Sequence, residues 1–217
     1  MFLHGGYPQK ILSRFSPKSE ILFVTDHSDK AVDAWENCLA QLHTKADMVF
    51  FGDSITRRGD FASAFPDKVV CNLGLGSDTI SGMTERIDMI VDVSPDKVFI
   101  MGGINSLRNN TIKQCISEYD SLLKKISVEI TADVFVISVL PISQSKSESI
   151  GCSADTIVSF NKAINDLSEK YGYTYIDLYP LFVSTDGAIN SELTTDGVHL
   201  TENAYKIWAE SITEYIR

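Results

Sequence analysis

Residues 46–59, ADMVFFGDSITRRG, decide how this chain is read. Met48 to Gly52 form a short, mostly apolar run, with the length and residue types of a strand buried on both faces. The run stops at Asp53-Ser54 and gives way to Thr56, Arg57 and Arg58. Two explanations fit that stop. Asp53 and Ser54 could simply cap a helix, the commonest use of such a pair. Alternatively the strand could deliver a serine to the rim of a sheet, where a hydroxyl can do chemistry.

Working outward, four more runs of the same kind appear: Lys68–Leu73, Lys97–Met101, Val134–Leu140 and Thr174–Leu178. Stripes of helical period lie around and between them. They are Val32/Trp35/Leu39/Leu42, Ile80/Met83/Ile87/Ile90, Ile157/Phe160/Ile164/Leu167 and a last one from Ala204 through Trp208 and Ile212 to Tyr215. The clearest runs from Ile112 to Ile126 and opens on Thr111-x-x-Gln114, a capping box. Strands alternating with helices predict an α/β fold: a three-layer, doubly wound, five-stranded parallel sheet with right-handed crossovers. Segments 142–153 and 182–197 show no periodicity and read as loops at the carboxyl edge of that sheet, where such folds bind ligands. We find no internal repeat and no linker, so residues 1–217 read as a single domain, with 1–28 an N-terminal arm.

Composition narrows the function classes. A hydrophobic content of 44% provides for a sizeable core, and a net charge of −10 argues against a general nucleic-acid binder, which needs a basic face. The N-terminus carries no apolar signal-peptide core, and no apolar run approaches the ~18 residues of a membrane span. Cytoplasm is the expected location, although a sequence lacking its export signal would read the same. Cys38, Cys71, Cys115 and Cys152 are widely scattered, without metal-ligand spacing, so a reduced, disulfide-free chain is expected. The oligomeric state, homo-oligomer included, is left open.

The strand ends share one edge, so residues distant in sequence should converge there. Ser54 is a candidate nucleophile, inert without a neighbouring base. His199 can take and return the hydroxyl proton, and Asp196, three residues earlier, can fix its tautomer. Candidate oxyanion donors are the Ser54 N–H, a backbone N–H in the turn Gly76-Ser77, and the side-chain amide of Asn105. Asp53 and Asp78 read as supporting residues that brace loops or cap helices. Tyr179 and Phe182 read as core aromatics, and Arg57-Arg58 as a solvated pair.

In order, FGDSIT (51–56), NLGLGSD (72–78), GGIN (102–105) and DGVH (196–199) resemble the four blocks of the GDSL or SGNH-hydrolase superfamily. Their spacing is similar to the branch of platelet-activating-factor acetylhydrolase subunits and related bacterial acyl-esterases, over roughly residues 30–217. The resemblance implies a flavodoxin-like fold and a Ser-His-Asp esterase that needs no metal or cofactor. Carried over by residue, Ser54 matches the nucleophile, Asn105 the oxyanion asparagine, and Asp196 and His199 the Asp-x-x-His pair. Ser77 stands where the family carries its oxyanion glycine, Ser106 where it carries aspartate, and Ile55 where it carries leucine. Serine can replace that glycine as a backbone donor, provided the turn does not demand a positive φ.

The expected function is hydrolysis of a short acyl ester, acetyl above all, of an alcohol such as a sugar, with a small-molecule acyl ester as the partner. A lysophospholipase or thioesterase would use the same machinery. Two other classes are weaker. A nucleotide-binding module fails because GLGSDT places Thr79 where G-x-G-x-x-G needs glycine. An inactive carbohydrate-binding relative would not need Ser54, Asp196 and His199 intact.

Overall fold

The structure, a computed structural model, describes residues 46–216. The stripe Val32–Leu42, the arm 1–28, Cys38 and the histidines at 4, 27 and 43 lie outside the described residues. Strands β1 (Met48–Gly52), β2 (Val70–Gly74), β3 (Lys97–Met101), β4 (Asp133–Ile137) and β5 (Thr174–Ile176) make one sheet in the order β2-β1-β3-β4-β5. Every pairing is parallel. The expected α/β, five-stranded doubly wound architecture is the one observed.

Each strand puts alternate residues on opposite faces, and each face has its own core. Val49 and Phe51 of β1 join a cluster covered by α3 (Ile80–Glu85), α4 (Asp88–Val93), α6 (Ile112–Glu129) and α8 (Ala154–Tyr171). Met48 and Phe50 face the opposite cluster, closed by Phe61, Phe182, Trp208 and Ile212. Those four residues come from α2 (Phe61–Ala64), α9 (Tyr179–Phe182) and α10 (Glu202–Ile212). Both faces of β1 are therefore dry, which is why its sequence is a continuous apolar run and not an alternating one.

The order in which strands are added reverses beside β1: β2 lies on one side of it and β3 on the other. That switch point opens a crevice at the carboxyl ends of β1 and β3. Close approach there is built into Gly52, where an added Cβ would stand 2.0 Å from the Met101 carbonyl oxygen. Two short helices leave this edge, α1 (Ser54–Arg57) after β1 and α5 (Ile104–Asn109) after β3.

Three expectations need correction. The stripe Ile80–Ile90 is two helices, not one, broken around Arg86 and Ile87. Segment 142–153 contains a helix, α7 (Gln144–Ile150), none of whose residues is buried, so no apolar period announces it. Caps define it instead, Ser143 at its start and Gly151 at φ +66° at its end. Cys115 and Cys152 are free, but Cys71 is disulfide-bonded, its partner outside the described residues. The spacing of cysteines in a chain carries no information about their distance in space.

Candidate active site

The N-terminus of α1 is made by Asp53, whose Oδ1 accepts the Ile55 N–H at 2.9 Å. Capping is thus the role of Asp53, and it leaves Ser54 as the first helical residue, half-buried at the rim. The Ser54 Oγ lies 2.9 Å from His199 Nε2. His199 Nδ1 lies 2.7 Å from Asp196 Oδ2, while Asp196 Oδ1 accepts the backbone N–H groups of His199 and Val198 at 2.8 and 3.0 Å. The three residues predicted to act together are brought into one hydrogen-bonded line across 145 residues of sequence. A carboxylate on Nδ1 leaves Nε2 as the nitrogen that faces the hydroxyl.

Burial would raise the Asp196 carboxyl. Hydrogen bonds from the His199 backbone, the His199 ring and the Val198 backbone outweigh that effect and hold it well below the ordinary carboxylate range. The turn itself is held from two sides. Thr194 Oγ1 accepts the Gly197 N–H at 2.9 Å, and Ser143 donates its N–H to the Gly197 carbonyl at 2.8 Å. Segment 142–153 thus braces the Asp-x-x-His turn.

The candidate oxyanion side comes from β2 and β3. Neither Ser54 nor Ser77 donates its backbone N–H to any described residue, and the same holds for Gly76. The Asn105 amide donates to the Asp78 carbonyl at 2.9 Å, which aims the side chain across the crevice and leaves its second N–H. Ser77 is exposed and has φ +57°. The proviso attached to this serine therefore fails: the turn does take a left-handed conformation, and a side chain occupies it at a cost of about 1–2 kcal/mol. Gly76 shows no positive φ. Ser106 is buried and accepts the Ile80 N–H at 2.9 Å, so it anchors the start of α3 to α5.

Asp78 braces the same turn from below. Its Oδ1 accepts the Thr79 N–H at 2.9 Å and its Oδ2 the Arg86 Nε at 2.6 Å. Burial pushes its carboxyl up, and the charge and hydrogen bond of Arg86 work against that rise. Asp53 is the more isolated acid. Burial pushes it up to about 7, with Asp78 adding to the rise and the Ile55 N–H and Arg86 opposing it. Its Oδ2 has no hydrogen-bond partner among the described residues.

Sequence reasoning missed three residues that hold the site. The side-chain amide of Asn72 donates to the Thr56 and Gly59 carbonyls, both at 2.9 Å, pinning the end of α1 to β2. The Tyr205 hydroxyl donates to the Ile55 carbonyl at 2.5 Å, tying α10 to α1. Arg86 is fully buried, and its sequence signal was available: three residues after Met83 and four before Ile90, a charge sits on an apolar stripe. Of the expected aromatics, Phe182 is buried in the core and Tyr179 half-buried against it. Among the described residues no group of three or more His, Cys, Asp or Glu could hold a metal ion, and no helix is long and apolar enough to cross a membrane.

Solved structures share this fold. A candidate platelet activating factor from Streptococcus pneumonia is 18% identical, with TM-score 0.77, and the match covers 96% of this chain and 98% of that one. A GDSL-like lipase from Bacteroides thetaiotaomicron is 22% identical, with TM-score 0.72 and coverage of 86% and 96%. An acetyl xylan esterase, AlAXEase, is 19% identical, with TM-score 0.66 and coverage of 78% and 99%. No curated protein matches the sequence. The model of the GDSL-like Lipase/Acylhydrolase family matches residues 50–207, a span that takes in Ser54, the turn at Ser77, Asn105, Asp196 and His199, and the chain belongs to that family of hydrolases.

Proposed function

We propose that residues 1–217 form one catalytic domain, a serine esterase that works through an acyl-Ser54 intermediate. The observation that carries this reading is the hydrogen-bonded line Ser54–His199–Asp196. In the first half-reaction the Ser54 Oγ bonds to the ester carbonyl carbon while His199 Nε2 takes the hydroxyl proton. The carbonyl oxygen becomes an oxyanion facing the N–H groups of Ser54, Ser77 and Asn105. Collapse breaks the bond to the alcohol oxygen, which leaves with the proton from His199. Water then repeats the sequence on the acyl-enzyme: His199 takes its proton, the carboxylic acid departs, and Ser54 regains its hydrogen. Asp196 stays ionised throughout and stabilises the imidazolium.

The acyl group we take to be short, acetyl first, on an alcohol such as a sugar. A protein named as an acetyl xylan esterase shares the fold, which makes acetyl the first acyl group to test. The test compares hydrolysis of a series of esters from acetyl to palmitoyl, with Ser54→Ala as control. We expect activity to fall steeply beyond short chains and to drop by about 10³-fold or more in Ser54→Ala. A plateau toward long chains would replace the short-acyl assignment with a lipase or thioesterase. Fluorophosphonate labelling that persisted in Ser54→Ala would remove Ser54 as nucleophile.

A further inference from the structure

Arg86 makes contacts that no step above uses. Its side chain is 1% exposed, and it follows directly on α3, one element away from the turn that carries Ser77. All three of its nitrogens are engaged. Nε donates to Asp78 Oδ2 at 2.6 Å, Nη1 to the Leu73 carbonyl at 2.7 Å, and Nη2 to the Gly52 carbonyl at 2.8 Å. The guanidinium carbon stands 4.1 Å from the centre of the Phe51 ring, so the group is stacked as well as bonded.

These acceptors are not a random set. Gly52 ends β1 two residues before Ser54, Leu73 lies at the end of β2, and Asp78 follows Ser77. The Asp78 carbonyl in turn accepts the Asn105 amide. One buried cation is therefore tied to the strand end that delivers the nucleophile, the strand that leads to the oxyanion turn and, through Asp78, the asparagine after β3. Desolvating a guanidinium is expensive, and stability alone is served as well by apolar packing. A rigid planar fork reaching three acceptors gives something apolar packing does not, a fixed geometry between two chain segments. The adjacent Ser77 needs such a fixture, because a left-handed serine persists only where its surroundings over-determine it.

We propose that Arg86 is a positioning residue for the reaction, holding the Ser77 turn and Asn105 in register with Ser54 so that their N–H groups meet the oxyanion. The proposal rests on the reading that Ser54, Ser77 and Asn105 form the reacting centre. Misplacement by about 1 Å can cost on the order of 100-fold in rate, and the loss should fall on kcat because oxyanion contacts tighten in the transition state.

The experiment measures kcat, KM and Tm on a short acetyl ester for Arg86→Met, Arg86→Lys, Asn105→Ala and the Arg86→Met/Asn105→Ala pair, well below every Tm. We expect Arg86→Met to lower kcat by about 30- to 100-fold with KM within about threefold of wild type. Arg86→Lys, which keeps the charge but not the fork, should lose about 10-fold. In the Asn105→Ala background the Arg86→Met cost should shrink severalfold, because one donor it positions is already gone. Wild-type kcat in Arg86→Met, whatever its Tm, overturns the proposal, and so does an identical cost in both backgrounds. If Arg86→Met does not fold, Arg86→Lys and Asp78→Asn are read by the same criteria. Ser54→Ala separates the two levels. Full activity there removes the underlying reading, whereas an inactive Ser54→Ala beside an unchanged Arg86→Met removes only the role of Arg86.

Discussion

Two aspartates flank the hydrogen-bonded pair Ser54 and His199, and the structure treats them in opposite ways. Asp53 precedes Ser54, is completely buried, and is pushed up to about 7. Asp196 precedes His199 by three residues, leaves 43% of its side chain exposed, and is held well below the ordinary carboxylate range. Burial raises both. Burial weighs far more on the enclosed Asp53, and the donors differ as well: Asp53 receives one backbone N–H, whereas Asp196 receives two backbone N–H groups and a histidine ring. Desolvation set against hydrogen bonds to the charged form, not proximity to the serine, separates the two acids.

The largest effect that would break this comparison is on the Asp196 side. Asp196→Asn keeps the shape but removes the charge proposed to orient and stabilise the imidazolium. We expect kcat to fall by on the order of 10³- to 10⁴-fold with KM little changed. A loss under tenfold would mean that His199 is held by its backbone surroundings alone. The linkage sign is also fixed. A carboxyl whose folded pKa lies below the ordinary aspartate value of 3.8 contributes stability above that pH and loses it on further acidification. Wild type should therefore lose stability relative to Asp196→Asn as the pH falls below about 4.

The Asp53 side should give the opposite pattern. Asparagine is as good a helix N-cap as aspartate, so Asp53→Asn should keep kcat within about threefold. Stability is where it should differ. A folded pKa of about 7 against 3.8 means that the native state holds a proton the unfolded chain releases. That contribution is complete below about pH 4 and is lost as the pH rises to about 7. The Tm of Asp53→Asn relative to wild type should therefore climb between pH 5 and pH 8, by roughly 2–4 °C for each kcal/mol of linkage. Parallel Tm curves for the two proteins would show that Asp53 is ionised across the range.

How much of this was readable beforehand follows from the same physics. Parallel strands covered on both faces appear as unbroken apolar runs, so all five were found, with Lys97–Met101 placed to the residue. Helix α7 was not found because burial writes the helical period and α7 buries nothing. Ser54, Asn105, Asp196 and His199 were legible because each ends a strand or opens a turn before a helix. The charge of Arg86 on an apolar stripe was legible but its role was not, and Asn72 gave no signal at all. Two acceptors of Arg86 and those of Asn72 are backbone carbonyls of other segments, and a carbonyl has no letter in the sequence. The disulfide at Cys71 escaped for a related reason, since pairing depends on distance across the fold.

The smallest effect concerns backbone strain, and it too separates the nucleophile side from the base side. Each side has a residue in the left-handed region: Ser77 at φ +57° and Gly197 at φ +88°. The base side uses glycine, where an added Cβ would stand 2.2 Å from Ser143 Oγ. The nucleophile side uses serine, paying the left-handed cost without that steric conflict. Ser77→Gly removes a strain of about 1–2 kcal/mol but adds roughly 0.4–1 kcal/mol of unfolded-state entropy, so a net gain of about 0.5 kcal/mol is expected. That corresponds to a rise in Tm of about 1–2 °C. Because the proposed donor is a backbone N–H, Ser77→Gly and Ser77→Ala should both keep kcat within about threefold. A tenfold loss in Ser77→Ala with Ser77→Gly equally slow would show that the Ser77 hydroxyl itself contacts the oxyanion, and the two sides of the site would then differ in chemistry as well as in strain.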